Sequence, residues 1–396
     1  MKIKKIIAAA LALTMSAITF AACGGAKSDD DGTIKIGGIG PLTGGAAIYG
    51  NAVKNAAEIA VEEVNALGGL QFSLKFEDDE HDAEKSVNAY NKQKDWGMDI
   101  SLGTVTTTPC IAVSSELDAD HIFALTPSAS STDVIGGVAN ESGVVEIPRK
   151  SGMFQMCFTD PNQGKASAEY IAEQNIATKI AVIYDSSDAY STGIYNTFKT
   201  EADARGLELV SVTSFTADTA TDFSVQLTEA NNAGAELIFL PIYYTPASLI
   251  LTQANSAGYD FKYFGVDGMD GILTLEGFDT SLAEGVMLLT PFVADADDAA
   301  TQSFVKKYQE RYGDIPNQFA ADAYDCVYSI YEACKKAGIT ADMTSSEMCD
   351  KLIATFTDPS FVFNGLTGTD VTWSTTGEVS KAPKGMIIKN GAYSAM

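Results

Sequence analysis

Two hydroxyl-rich turns carry the clearest chemistry in this chain: Thr106-Thr107-Thr108-Pro109, at the end of the apolar run ISLGTV, and Thr126-Pro127-Ser128-Ala129-Ser130-Ser131, at the end of HIFAL. Thr108 reads as an N-cap and Pro109 as the first helical residue, so unpaired backbone N–H groups and the helix dipole would point at Thr107 and its neighbours. Such a helix start suits an anion. Three later apolar runs end in groups of another kind: Tyr190 after KIAVIYD, Tyr244 after AELIFLP and Asp267 after YFGV. Donors on one side, with aromatic faces and a carboxylate on the other, suit a zwitterion. Its carboxylate would take the Thr/Ser side and its ammonium would pair with Asp267. Each charge-assisted hydrogen bond contributes about 1.5–3 kcal/mol, so a few of them could hold two bodies closed on a small ligand.

Other chemistries fail on spacing. The segment GGIGPLTGG has Thr43 where a dinucleotide-binding loop needs its third glycine, and Pro41 breaks the turn. It reads as a tight loop at a strand end. Asp78, Asp79, Glu80, His81, Asp82 and Glu84 form a dense acidic cluster, but their spacing matches no twelve-residue calcium loop, which leaves a solvated loop. No G-x-S-x-G elbow accompanies His121, and two histidines without paired cysteines do not make a zinc centre. The expectation is a protein that is not an enzyme, with no cofactor and no metal.

The elements that must position these residues alternate. TIKIGGIG reads as a buried strand, and Val53, Ala56, Ala57, Ala60, Val64 and Leu67 follow at helical spacing. QFSLKFED, ISLG and HIFALTP continue as strands separated by helices. A second series runs from KIAVIYD through LELVSVTSF, AELIFLPIYY and YFGVDG, with helices to Arg205, through Leu227 and to Gly258. Repeated strand–helix units imply parallel sheets covered on both faces. The predicted fold is α/β, with two doubly wound parallel-sheet lobes. After VMLLTPF, two helical stretches, SFVKKYQERYG and FAADAYDCVYSIYEACKKAG, are expected to complete the first lobe, and VTWSTTGEV and GMIIKN read as short strands.

Size and charge agree with that plan. The 396 residues exceed what one core usually serves. A net charge of −26 makes nucleic acid an unsuitable partner, since binding it relies on Lys and Arg. Lys2, Lys4 and Lys5 precede an uncharged run of 15 residues, Ile6 to Phe20, then Ala21, Ala22 and Cys23. That run is shorter than the roughly 20 apolar residues a bilayer span needs, so it reads as a cleaved signal. Losing residues 1–22 removes three lysines and no acid from −26, leaving −29. Residues 24–32, GGAKSDDDG, suit a flexible tether. Cys110, Cys157, Cys326, Cys334 and Cys349 are odd in number and scattered, and they read as buried thiols.

Phe20-Ala21-Ala22-Cys23 resembles the bacterial lipobox, with Phe20 in place of the usual leucine, and implies that Cys23 is lipidated. The body resembles the leucine/isoleucine/valine-binding family of ABC transporter solute-binding lipoproteins, with the type I periplasmic-binding fold. IKIGGIGPLTGGAAIYG, AVEEVNALGG, the acidic pair at Asp78, ALTPSAS, FTDPNQG, IAVIYD and FGVDG carry the likeness over residues 33–380. The resemblance implies that Thr107, Ser128 and Ser130 hold a ligand carboxylate and Asp267 an ammonium. It also implies that Tyr49, Tyr190, Tyr244 and Phe319 line the cleft. Three strands should cross between lobes near Phe158, Thr290 and Leu366. The implied division is 1–22 signal, 23–32 tether, 33–158 plus 291–366 N-terminal lobe, and 159–290 plus 367–396 C-terminal lobe.

Departures from the family pattern are local. The best-known relatives place a glutamate where Asp267 stands, and a disulfide where His81 and Thr106 stand; Gln155 replaces a frequent arginine. The implied function is a monomeric, lipid-anchored, extracytoplasmic receptor that closes on a branched-chain-like amino acid and delivers it to an ABC permease and ATPase. The alternatives are an amide, aromatic or short-chain carboxylate ligand, or a sensory receptor without transport.

Overall fold

The computed structural model describes residues 32–139 and 142–396; the signal, Cys23 and most of the tether lie outside the described residues. The first series of elements is β1 (Ile34–Gly40), α1 (Ala47–Ala66), β2 (Phe72–Asp78), α2 (Ala83–Trp96), β3 (Ile100–Thr104), α3 (Thr107–Ala119), β4 (Phe123–Thr126) and β5 (Met153–Gln155). All its strands pair in parallel, in the order β2-β1-β3-β4-β5. The second series is α4 (Asp160–Glu173), β6 (Lys179–Asp185), α5 (Ala189–Ala204), β7 (Glu208–Phe215), α6 (Ser224–Asn232), β8 (Leu237–Leu240), α7 (Tyr244–Ala257), β9 (Lys262–Gly265) and β10 (Met287–Thr290). Its parallel strands run β7-β6-β8-β9-β10, so the same winding occurs twice.

Burial explains the sequence pattern. Central strands such as β3, β8 and β10 are buried at every position and therefore read as unbroken apolar runs. The edge strands β2 and β7 keep Lys75, Glu77 and Thr213 on half-covered faces, and Lys75 pairs with Glu77 at 3.0 Å. Charged edges of this kind discourage pairing with another chain.

Three helices then follow β10: α8 (Ala299–Tyr312), α9 (Gln318–Ala337) and α10 (Ser345–Phe356). They return to the first sheet, where α9 lies along α1 and α10 covers β4. The sequence reading missed α10, whose Thr344/Glu347 capping box is a local start signal. It also missed β5, too short to show a period. The strands β11 (Lys384–Lys389) and β12 (Ala392–Ala395) extend the second sheet, β11 antiparallel to β10 and β12 antiparallel to β11.

The chain passes between sheets after β5 and after β10. The last passage comes later than expected. Trp373 stacks against Phe361, packs edge-on against Phe356 and donates to the Gln155 carbonyl at 2.8 Å, so residues 371–379 sit on the first sheet. We therefore place this crossing between Lys381 and Lys384 rather than near Leu366. Asp325 of α9 anchors the approach, accepting from the Leu366 and Thr367 N–H groups and the Thr367 hydroxyl. A Cβ at Gly365 would strike that carboxylate at 2.4 Å. Beside it, Lys381 is bonded to both Asp322 and the Thr367 hydroxyl, and the Lys381 and Asp322 side chains are 2% and 3% exposed. The five cysteines from Cys110 onward are free and buried.

Removing one member of a buried ion pair leaves the other charge uncompensated, which typically costs 3–5 kcal/mol. Lys381→Met is therefore expected to lower stability by about 3 kcal/mol at pH 7, read as the urea unfolding midpoint. Adding Asp322→Leu should recover most of that loss, because no stranded carboxylate then remains at that position; a double mutant as weak as the single one would contradict the assignment.

Candidate functional site

The carboxyl ends of β3 and β4 face those of β6, β8 and β9 across the cleft between the two sheets. In open α/β sheets this is the edge where ligands bind, next to the point where strand order reverses. A small cavity of about 10 Å³ lies there, lined by Tyr49, Val105, Thr106, Thr107, Ser128, Tyr190, Tyr243, Asp267, Gly268 and Phe319. It thus gathers Thr107, Ser128, Asp267, Tyr190, Tyr49 and Phe319 from the expected set. Ser130 and Tyr244 are not among the lining residues; each supports a group that is.

On the first lobe, α3 starts two residues earlier than its proline suggested. Thr106 is the N-cap without a side-chain cap bond, and Thr107 opens the helix. Thr108, expected to cap, instead reaches across the cleft and donates to Asp188 at 3.0 Å. The Thr107 hydroxyl accepts from Ser130 N at 3.3 Å, which leaves its own proton for another partner. The Ser128 hydroxyl donates to the Val105 carbonyl at 2.6 Å and its N–H to the Thr126 hydroxyl at 3.4 Å, so both donors of Ser128 are engaged within the loop. Gln155 holds this loop from behind, donating to the Ala129 and Ser131 carbonyls. That bond pair is what the residue at the frequent-arginine position does here.

On the second lobe, Asp267 is 3% exposed. Tyr190 donates its hydroxyl to Asp267 Oδ1 at 2.5 Å, and the same oxygen of Tyr190 accepts from Gly268 N at 2.8 Å. Burial pushes the Asp267 carboxyl up to about 7 against the pull of the Tyr190 bond. Burial and the neighbouring Asp267 charge hold the Tyr190 phenol well above its ordinary value, so it stays a donor. Tyr243, which the sequence reading passed over in favour of Tyr244, stacks on Tyr190 with centroids 4.8 Å apart and planes at 9°. The tandem tyrosines were the available signal. Tyr243 caps α7 and turns inward, while Tyr244, the first helical residue, packs edge-on against Tyr49.

Asp160 was also missed. It opens α4 at 1% exposure, and neither carboxylate oxygen has a hydrogen-bond partner in the geometry shown. Burial, with Asp267 and Asp188 nearby, raises its carboxyl well above the usual range. Three acids therefore converge behind the cavity, and no lysine, arginine or histidine lines it.

Several bonds join the lobes directly. Tyr49 donates to the Gly268 carbonyl, its hydroxyl accepts from Tyr244 N at 3.2 Å, Ile48 N donates to the Tyr244 hydroxyl at 3.2 Å, and Thr245 donates to the Gly45 carbonyl at 2.7 Å. His81 and Thr106, the positions of the relatives' disulfide, are joined by a 2.9 Å hydrogen bond, and the His81 ring meets Tyr243 edge-on. The acidic cluster around His81 is structural: Asp78 accepts from Leu42 N and Thr43, Asp79 from Ser86, and Asp82 caps α2.

The profile of the periplasmic binding protein family matches residues 33–382. A Leu/Ile/Val-binding protein homologue of Brucella melitensis is 30% identical over 333 residues, covering 83% of this chain and 86% of its own length. Among solved structures, the branched-chain amino acid transporter substrate-binding protein LivJ of Streptococcus pneumoniae, in complex with isoleucine, superposes with a TM-score of 0.79. It is 26% identical, with 92% of this chain and 98% of that one covered. A solute-binding protein of an R. palustris ABC transporter in complex with benzoate reaches the same TM-score at 19% identity, covering 92% and 96% of the two chains, and shares the fold.

Because the native state keeps a proton on Asp267 up to about pH 7 while an unfolded aspartate loses it near 4, the native state binds more protons in between. This contribution to stability is full below about pH 4 and is lost as pH rises through about 7. Asp267→Asn should therefore remove a downward slope of at most about 1.4 kcal/mol per pH unit from the stability profile. Unfolding free energies of both proteins between pH 5 and 7 test it; parallel profiles would rule the raised carboxyl out.

Proposed function

The chain belongs to the leucine/isoleucine/valine-binding family of periplasmic binding proteins, and from that premise we propose that it captures an amino acid with an apolar side chain for an ABC importer. The observation that carries this reading is the buried Asp267 carboxylate facing Thr107 across a cavity without a cation. A ligand ammonium would supply the missing positive charge. Its carboxylate would take the Thr107 hydroxyl and the backbone N–H groups at the start of α3, while Tyr49, Tyr190, Tyr243 and Phe319 would enclose the side chain. An aromatic or short-chain carboxylate would meet Asp267 with nothing to offset it. That electrostatic penalty favours the zwitterion over an anion.

Closure needs a ligand with different affinity for the two lobe arrangements. A cavity of about 10 Å³ accommodates on the order of one water, far less than an amino acid. Entry of the ligand therefore requires the lobes to part and close again at a wider setting. Hinge motion about the three inter-lobe passages is the standard way for such folds to do this. Lipidation at Cys23 would keep the receptor at the membrane beside its permease, and it would act as a monomer without catalysis.

Calorimetry with leucine, isoleucine, valine, benzoate and 4-methylpentanoate, which is leucine without its amino group, tests the assignment. An amino acid is expected to bind and 4-methylpentanoate to fail. Asp267→Ala should abolish binding while the thermal transition remains cooperative. At pH 6, binding of the ammonium should release a proton from Asp267, so the observed heat should change with the ionisation enthalpy of the buffer. Tight binding of the deaminated acid, or unchanged affinity in Asp267→Ala, would refute the reading.

A further inference from the structure

A groove of about 630 Å³ runs beside the cleft and shares no lining residue with the cavity at Asp267. Asp270, Leu273 and Tyr393 of the second lobe line one part of it; Val305 of α8, with Asp314 and Ile315 of the loop before α9, lines another. Its volume is in the roughly 300–1,000 Å³ class of small-molecule sites, and its walls are largely carbon. Three carboxylates, those of Asp270, Asp295 and Asp314, belong to the lining, and no lysine, arginine or histidine does.

Asp270 marks the inner end, because it is 2% exposed while Asp295 and Asp314 are exposed at the rim. Asp270 Oδ2 accepts from Gln318 N at 2.9 Å, and Oδ1 has no hydrogen-bond partner in the geometry shown. A buried carboxylate oxygen left in this way is unfavourable, and a cation beside it would relieve the cost. Burial raises the Asp270 carboxyl, with the Gln318 N–H and the Tyr393 hydroxyl opposing.

We propose that this groove is a second binding site, for an organic ammonium ion carrying an apolar body, with the ammonium at Asp270 and the body against Leu273, Val305 and Ile315. A free amino acid is a poorer fit, since its carboxylate would enter a groove that offers acids and no counter-charge. The site is independent of the amino-acid reading, although Gln318 connects them by donating from Nε2 to the Asp267 carbonyl at 3.2 Å.

Calorimetry of the purified protein with 2-phenylethylamine tests the proposal, with 3-phenylpropionate as the charge-reversed control. Saturable amine binding with a dissociation constant below about 1 mM is expected for the unaltered protein and for Asp267→Ala, which removes the other carboxylate that could attract it. Asp270→Asn should weaken it at least about 10-fold. Ile315→Lys places an ammonium at a rim position that is 57% exposed, where folding is not at stake, and should weaken it similarly. No saturable binding, equal binding of 3-phenylpropionate, or binding lost in Asp267→Ala but kept in Ile315→Lys would overturn the assignment.

Discussion

An acidic side chain without a counter-charge, buried where two lobes meet, is the constraint on which the rest of this structure turns. Asp267 has one strong donor, the Tyr190 phenol, and burial is the main cause that pushes its carboxyl towards neutrality. The Asp322 charge pushes the same way, and Asp160, itself raised by burial, lies within reach of Asp267 and Asp188. The second lobe therefore holds a prepared deficit of positive charge. In an enclosure walled by aromatic rings, where the effective dielectric is low, an ammonium would be attracted far more strongly than in water.

Two repetitions of one winding make that placement happen. Each sheet runs with its first strand between the second and third, so each has a reversal point whose strand ends open toward the other sheet. The first sheet brings hydroxyls and the start of α3 to the cleft; the second brings tyrosines and Asp267. Lobe-to-lobe bonds from Tyr49, Ile48, Thr108 and Thr245 then set how far the two come together. Behind the cleft, the Asp325 and Lys381 contacts pin the last inter-sheet passage to α9.

Much of this was legible beforehand where one stretch of chain decides the outcome. Buried central strands announce themselves as apolar runs, and the strand-end positions of Thr107 and Asp267 follow by counting from those runs. Legibility failed where two signals competed locally. Pro109 suggested a start for α3 that Thr106 had already made, because the ring is tolerated anywhere in a helix's first turn, where the N–H it lacks would be unpaired. Of two adjacent tyrosines, the sequence could not say which faces the cavity, since one residue along a helix start rotates a side chain by about 100°. Trp373 was expected with the second lobe, and only its edge-on packing against Phe356 of α10, its stacking on Phe361 and its bond to Gln155 put it on the first.

The sequence by itself determined the α/β class, the two series of units, the division of donors and carboxylate between them and the family, because periodicity and residue type are properties of short segments. The tertiary structure decided which hydroxyl is free and which is committed, that His81 and Thr106 meet through a hydrogen bond, and that Asp160, Asp188 and Asp267 share one interior. Those outcomes depend on distances between residues as many as 107 positions apart, from Asp160 to Asp267, and on the burial that folding imposes on them. The same holds for the groove at Asp270, whose walls come from both lobes and which no single segment encodes.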